Sequence, residues 1–272
     1  RNLGSPGLAL LLGLCLCDGR LLEYNADSWT DYNSLLDYTV ARKYAFDHDA
    51  IEQLGQLFLS HRANDTFGLC LLHNHFHLQP GEMMIEVVSS NSSFTNPSNK
   101  TWAFGDPSPI TPTTFQITSE GDLKPMEFLD MSKSDFSTYS NGLNSMIENF
   151  FENPDEFDGF FQEMNAELER RQLRDVFGAC VRHRDSITSV DPTESSMETN
   201  HPRERWLRLN PMIVFAEKKQ LIEEKWRKKE ASPTFWTFPL RCEQCGGEAG
   251  MCAECACGGG MCAECGCSLG II

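Results

Sequence analysis

The residues best suited to chemistry in this chain are the cysteines near its C-terminus. Three copies of a ten-residue unit follow one another there, with the sequences LRCEQCGGEA, GMCAECACGG and GMCAECGCSL over residues 240–269. Cysteine occupies the third and sixth positions of every copy, and the second and third copies add another at the eighth. Eight of the twelve cysteines therefore lie in this tail: Cys242, Cys245, Cys252, Cys255, Cys257, Cys262, Cys265 and Cys267.

A C-x-x-C pair lets both sulfurs reach one cation, and the neighbouring glycines allow tight turns. In a reducing compartment, thiolates at this density bind zinc or another soft metal ion. We therefore predict zinc as the cofactor, held first by the four-ligand set Cys242, Cys245, Cys252 and Cys255, with the remaining four cysteines as a second set. In an oxidising compartment the same residues would form disulfides. Without a bound metal ion or disulfides, the tail has too few apolar residues to fold.

A second group of metal-binding side chains lies at His73, His75 and His77, which alternate and would share one face of a strand. With Glu82 following, the pattern H-x-H-x4-E resembles the first motif of the cupin family. That resemblance implies a metal-dependent enzyme with these four side chains as ligands inside a β-barrel. No glycine lies six residues after Glu82 and no second cupin motif follows. We favour the interpretation that the histidines are paired with backbone groups or carboxylates.

The segment Leu71-Leu72-His73-Asn74-His75-Phe76, followed by Gly81-Glu82, is also similar to a group of uncharacterised proteins from filamentous fungi. This resemblance implies no activity. The sequence contains no G-x-S-x-G, H-E-x-x-H or G-x-x-x-x-G-K motif. We therefore expect a protein that is not an enzyme.

The pattern F-G-x-C-x-x-H occurs twice, at residues 67–73 and 177–183. One interpretation is a zinc ion bound by Cys70, His73, Cys180 and His183. Residues three apart on a regular strand point to opposite faces, however, so each Cys–His pair would need a bulge. Small buried cysteines in neighbouring core strands are the preferred interpretation.

The charge of the chain argues against a nucleic-acid partner. The formal net charge is −16, and like charges repel a phosphate backbone. Residues 203–229 have a positive net charge, because they include nine basic and four acidic residues. We interpret them as the solvated basic face of a helix that pairs with the acidic domain.

Residues 1–20 form an apolar N-terminal segment, interpreted as a signal peptide or as an artefact of a fragmentary start, since the chain begins with Arg1. Their apolar run is ten residues long, too short for a transmembrane helix. Glycosylation sequons at Asn64, Asn91 and Asn99 are compatible with secretion. We predict an intracellular protein, with a secreted, disulfide-bonded interaction protein as the alternative.

Hydrophobic periodicity predicts three helical regions. Residues 21–63 are predicted to be mostly helical, with Asp47 or Asp49 as a cap. A helix with an apolar aromatic stripe is predicted over 153–173, and an amphipathic helix over 215–229.

Short strands are predicted between these helices. A strand at 67–78 and its return at 83–88 would form a hairpin around Pro80-Gly81. The polar segments 89–114 and 191–204 are predicted to be loops. Further short strands are predicted at 115–118, 127–129, 177–183 and 187–190.

Together these elements predict an α+β fold with short, mainly antiparallel strands. The domain organisation expected from composition is the N-terminal segment 1–20, a globular domain at 21–239 and the cysteine-rich tail at 240–272.

Overall fold

The computed structural model describes residues 21–89, 92–103, 109–134, 150, 154–182, 196–201, 203–211, 234–236, 238, 240–242 and 267–269. Its helices are α1 (Trp29–Ser34), α2 (Tyr38–Ala41), α3 (His48–Ser60) and α4 (Asp158–Arg171). Its strands are β1 (Phe67–Leu71), β2 (Glu82–Ser89), β3 (Ser92–Asn99), β4 (Ile110–Ile117), β5 (Leu123–Asp130), β6 (Phe177–Val181), β7 (Ser196–His201), β8 (Trp206–Pro211), β9 (Phe235–Trp236), β10 (Leu240–Cys242) and β11 (Cys267–Leu269). The predicted α+β class is confirmed.

Nine strands form one mixed sheet in the order β7-β8-β3-β2-β5-β4-β6-β1-β9. The β2–β5 pair is parallel, whereas the other neighbours in this sheet are antiparallel. Strands β2–β3 and β4–β5 are two hairpins that lie side by side, and they meet through β2 and β5, which run in the same direction. Strands β10 and β11 form a separate two-stranded ladder.

Three predictions about strand pairing and loops are wrong. Strand β2 does not return against β1, because its neighbours are β3 and β5. The predicted loop over 89–114 contains all of β3, and the predicted loop over 191–204 contains β7. In β3 the side chains of Ser92, Ser93 and Thr95 are buried despite their polarity. Hydrophobic periodicity cannot detect a strand of this kind.

The first long helix, α3, follows the sequence prediction closely. The carboxylate of Asp47 accepts a hydrogen bond from the backbone N–H of Ala50 at 3.1 Å, which caps the helix. Ile51, Leu54 and Phe58 lie at helical spacing and are buried in the core.

The second long helix, α4, is also close to its predicted position. A 3₁₀ turn at Pro154–Phe157 leads into it, and it ends before Gln172, whose φ of 60° is left-handed. Phe160, Phe161, Met164 and Leu168 form its buried stripe. The predicted strand at 187–190 and helix at 215–229 lie outside the described residues.

The segment that leads into the tail is fixed to the core. Phe238 is fully buried, and a Cβ added to Gly55 of α3 would lie 2.6 Å from the Phe238 ring. The side chain of Trp236 is buried against Phe177, with ring centroids 5.7 Å apart. Because β10 begins at Leu240, the cysteine tail starts two residues beyond this anchor.

Charged side chains join α3 to α4. Arg171 contacts Asp49 of α3 at 2.7 Å and Glu167 of its own helix at 2.5 Å. Arg170 also contacts Glu167, at 2.6 Å. The hydrogen bonds from Arg170 and then Arg171 lower the pKa of Glu167 to about 2. Glu167 is therefore ionised in the folded chain at neutral pH.

Glu167→Gln is expected to lower the free energy of unfolding by about 1–2 kcal/mol at pH 7, since both arginines are partly solvated. The lowered pKa means that this contribution is complete above the ordinary pKa of 4.5 and is lost as the pH falls towards 2. Urea unfolding at pH 7 and pH 3.5 should show the difference between variant and wild type shrinking on acidification. Glu169→Gln is the control, because Glu169 is mostly exposed. A difference independent of pH would contradict the assignment.

Candidate functional site

The predicted histidine strand is not extended in the structure. Strand β1 ends at Leu71, and residues 72–81 follow an irregular path held by side-chain amides. The Asn74 amide donates to the Leu35 carbonyl at 2.7 Å, and the Asn33 side chain bonds both backbone groups of Leu78. These amides satisfy backbone groups that a strand neighbour would otherwise bind, so the prediction of a strand to residue 78 is wrong.

His73 and His75 nevertheless lie together beneath α1 and α2. Their rings meet edge to face with centroids 4.5 Å apart, and both side chains are buried. His73 Nδ1 lies 2.8 Å from the Leu71 carbonyl oxygen. His75 Nε2 lies 3.6 Å from a carboxylate oxygen of Glu127 on β5. The other carboxylate oxygen of Glu127 accepts a hydrogen bond from the Thr114 hydroxyl at 3.1 Å.

A small pocket joins these groups to the two core cysteines, Cys70 and Cys180. Its space for water-sized molecules is about 30 Å³. Since a single water needs roughly 10–15 Å³ by this measure, one or two waters would fit.

Cys70 and Cys180 lie on neighbouring strands, as predicted. Cys70 is opposite Gly178 and Cys180 is opposite Gly68, which places both thiols on one face of the β1–β6 pair. Both are buried and present as thiols. His183, the fourth member of the alternative zinc set, lies outside the described residues.

His77 and Glu82 lie away from this pocket. His77 is exposed, and the carboxylate of Glu82 forms an ion pair with Arg205, with Nη1 2.8 Å from Oε1. The hydrogen bond from Arg205 lowers the pKa of Glu82, and the backbone N–H of Gln79 adds to the effect. The structure thus brings together His73 and His75 of the cupin-like set, but not His77 or Glu82. In the described part of the chain, no group of three or more His, Cys, Asp or Glu side chains is arranged to hold a metal ion.

The Arg205–Glu82 pair was not identified from the sequence, because 123 positions separate the two residues. It is one instance of the predicted pairing between the basic segment 203–229 and the acidic domain. Arg208 of the same segment stacks over the exposed ring of Phe94, with its guanidinium carbon 4.9 Å from the ring centroid. An open groove of about 480 Å³ lies beside these contacts and includes Trp206.

The three glycosylation sequons differ in accessibility. Asn64 is buried, with 6% of its surface exposed, and its side-chain amide lies 3.4 Å from the Asp65 carboxylate. Asn99 is exposed at the end of β3. Asn91 lies outside the described residues. A glycan on Asn64 would therefore be incompatible with this fold.

The cysteine tail contains one described ladder. Strands β10 and β11 pair antiparallel, with Leu240 opposite Leu269 and Cys242 opposite Cys267. The other six tail cysteines lie in the segment 243–266, outside the described residues. Each strand of this ladder contains one cysteine.

No protein-family model, curated protein or solved structure matches the chain. Among the residues that the structure describes, no helix is long and apolar enough to cross a membrane.

Proposed function

We propose that the protein binds zinc through the cysteines of its C-terminal tail. The observation that carries this proposal is the β10–β11 register, in which Cys242 lies directly opposite Cys267. The ladder encloses the segment 243–266, which contains the other six tail cysteines. All eight tail cysteines therefore belong to the two paired strands or to the sequence between them.

Zinc would supply the folding free energy that this loop lacks. The tail is rich in glycine, alanine and cysteine, and it has few apolar side chains from which to build a core. Structural zinc sites contribute an apparent 10–16 kcal/mol or so near neutral pH, enough to order a segment of this kind. The core residues Trp236 and Phe238 fix the start of the tail independently of the metal.

The proposal includes an intracellular location, because thiolates are available to a metal only where they stay reduced. The burial of Asn64 supports it by removing one of the three sequons that favoured secretion. The alternative of a metal-dependent enzyme at the histidines has less support, since His77 and Glu82 lie away from His73 and His75.

Elemental analysis of the full chain, purified without chelators and dialysed against zinc, tests this function. We expect at least one tightly held zinc ion per chain in the wild type. None should remain in a full-length variant with all eight tail cysteines replaced by serine. Cys70→Ala is the matched control and should keep the metal, because Cys70 lies in the core. Absence of zinc from the wild type, or equal zinc in the eight-serine variant, would refute the proposal.

A further inference from the structure

We infer that the open groove beside Arg205 and Trp206 is a binding site for a neutral carbohydrate. Its lining includes residues of β2, β3 and the start of β8, among them Glu82, Phe94, Asn96, Glu204, Arg205 and Trp206. Its volume of about 480 Å³ lies within the range of about 300–1,000 Å³ that is typical of small-molecule sites. The site contains no residue of the tail, so it is separate from the proposed zinc binding.

Two aromatic rings form the apolar surface of the groove. The rings of Phe94 and Trp206 have centroids 6.1 Å apart, and their planes are inclined at 46°. Phe94 is exposed and Trp206 is half-buried, so both rings are in contact with solvent. A ligand that packs its C–H groups on these rings would remove apolar surface from water.

The charged side chains of the groove present acceptors to a ligand. The Arg205 guanidinium donates to both carboxylate oxygens of Glu82, with Nη1 2.8 Å from Oε1, and also to the His77 carbonyl. The indole N–H of Trp206 donates to a carboxylate oxygen of Glu204 at 2.8 Å. These hydrogen bonds hold both carboxylates in place and use the indole donor. Since a carboxylate has about four lone-pair sites, each can accept a further hydrogen bond from a ligand.

Asn96 adds an amide to the same surface. Its side chain is exposed, and its NH₂ group donates to the Pro97 carbonyl at 3.2 Å. Because an amide carries two donor hydrogens and an acceptor oxygen, this single bond leaves groups that a ligand can use.

The charges around the groove are balanced. The carboxylates of Glu82 and Glu204 face the guanidinium groups of Arg205 and Arg208, and Arg208 lies over the Phe94 ring. An anionic ligand would meet two carboxylates, and a cationic ligand would meet two guanidinium groups. The groove therefore favours a ligand without net charge.

A carbohydrate combines the properties that this surface requires. A pyranose ring is neutral, carries hydroxyl donors around its rim and presents a flat face of C–H bonds. A proline-rich peptide would also pack on aromatic rings, but its backbone offers carbonyl acceptors and lacks the N–H donors. The indole N–H that would bind such a carbonyl is already bonded to Glu204. The acceptor-rich lining therefore favours the carbohydrate.

Isothermal titration calorimetry of the full chain tests the site, with neutral hexasaccharides of glucose, mannose and N-acetylglucosamine as probes. We expect saturable binding of at least one of them to the wild type. Trp206→Ala should weaken that binding by about tenfold or more, and Asn96→Ala by about threefold. Trp206→Phe should retain more of the affinity than Trp206→Ala, because an aromatic ring remains. Tyr44→Ala is the matched control, since Tyr44 is an exposed aromatic residue outside the groove, and it should bind as the wild type does.

Three results would overturn the inference. The first is that none of the three hexasaccharides binds to the wild type, or that binding is unchanged in both Trp206→Ala and Asn96→Ala. The second is that a polyproline peptide binds and the hexasaccharides do not, which would assign the groove to a peptide. The third is loss of hexasaccharide binding in the variant with eight serines in the tail, which would place the site there. Zinc content is measured separately, so failure of the proposed function is distinguishable from failure of this inference.

Discussion

Phe67→Ala is expected to lower the free energy of unfolding by about 4 kcal/mol, a large part of the stability of an ordinary domain. Phe67 is the first residue of β1 and has no exposed surface. Its ring lies among five other phenylalanine rings, with centroid distances from 5.0 to 6.5 Å, contributed by Phe115, Phe150, Phe157, Phe160 and Phe161. Truncation would leave a cavity between the sheet and α4.

The cavity could not collapse easily, because the surrounding rings are held by different elements. Phe115 belongs to β4, whereas Phe160 and Phe161 belong to α4. A closing movement would separate the helix from α3 or distort the sheet. We therefore expect a cost near the upper part of the range seen for large-to-small core substitutions.

Urea unfolding followed by tryptophan fluorescence and by circular dichroism would measure the change. Phe94→Ala is the matched control, since Phe94 also lies on a strand but is 40% exposed. The Phe94→Ala substitution should lower the free energy of unfolding by no more than about 1 kcal/mol. If the two variants lose the same stability, the phenylalanine cluster does not form the central packing contact described above.

Glu127→Ala is expected to lower the free energy of unfolding by about 3 kcal/mol. The substitution removes the carboxylate that lies beside His75 and accepts a hydrogen bond from Thr114. Burial makes the loss costly, because polar groups left without their acceptor cannot be fully solvated. The side chains of Glu127 and His75 are 10% and 5% exposed.

A double-mutant cycle with His75→Ala would separate the pair interaction from the loss of packing. The double variant should be less destabilised than the sum of the two single variants. Glu120→Gln is a suitable control, because Glu120 is exposed at a turn. This substitution should leave the midpoint of urea unfolding unchanged. Strict additivity of the two single variants would contradict an interaction between the two side chains.

The same variant also tests where the metal binds. The proposed zinc site lies in the tail, so Glu127→Ala should keep the zinc content of the wild type while it loses stability. Loss of zinc in this variant, with the fold retained, would instead favour a metal site at the histidines.

Local sequence signals identified the elements whose stabilising contacts lie nearby in the chain. The Asp47 cap and the apolar stripe of α3 lie within one short segment. The two F-G-x-C segments predicted paired core strands, and their cysteines lie on neighbouring strands β1 and β6. In each case the residue types and their spacing determine the conformation.

Strand β3 was missed for a physical reason. Its polar side chains do not show the alternating hydrophobicity by which strands are recognised, yet Ser93 and Thr95 are buried among neighbouring strands. The β2–β5 parallel pair was missed because strand order depends on contacts between segments that are distant in sequence. Similarly, no local pattern could show that Arg205 binds Glu82.

The sequence by itself determined the two long helices, the paired core cysteines and the dense sulfur of the tail, because periodicity, capping and spacing act over a few residues. Only the tertiary structure decided the other features. It joined His75 to Glu127, separated both from His77 and Glu82, and placed Cys242 opposite Cys267. These contacts depend on the register and order of strands, which are selected by the packing of the whole chain.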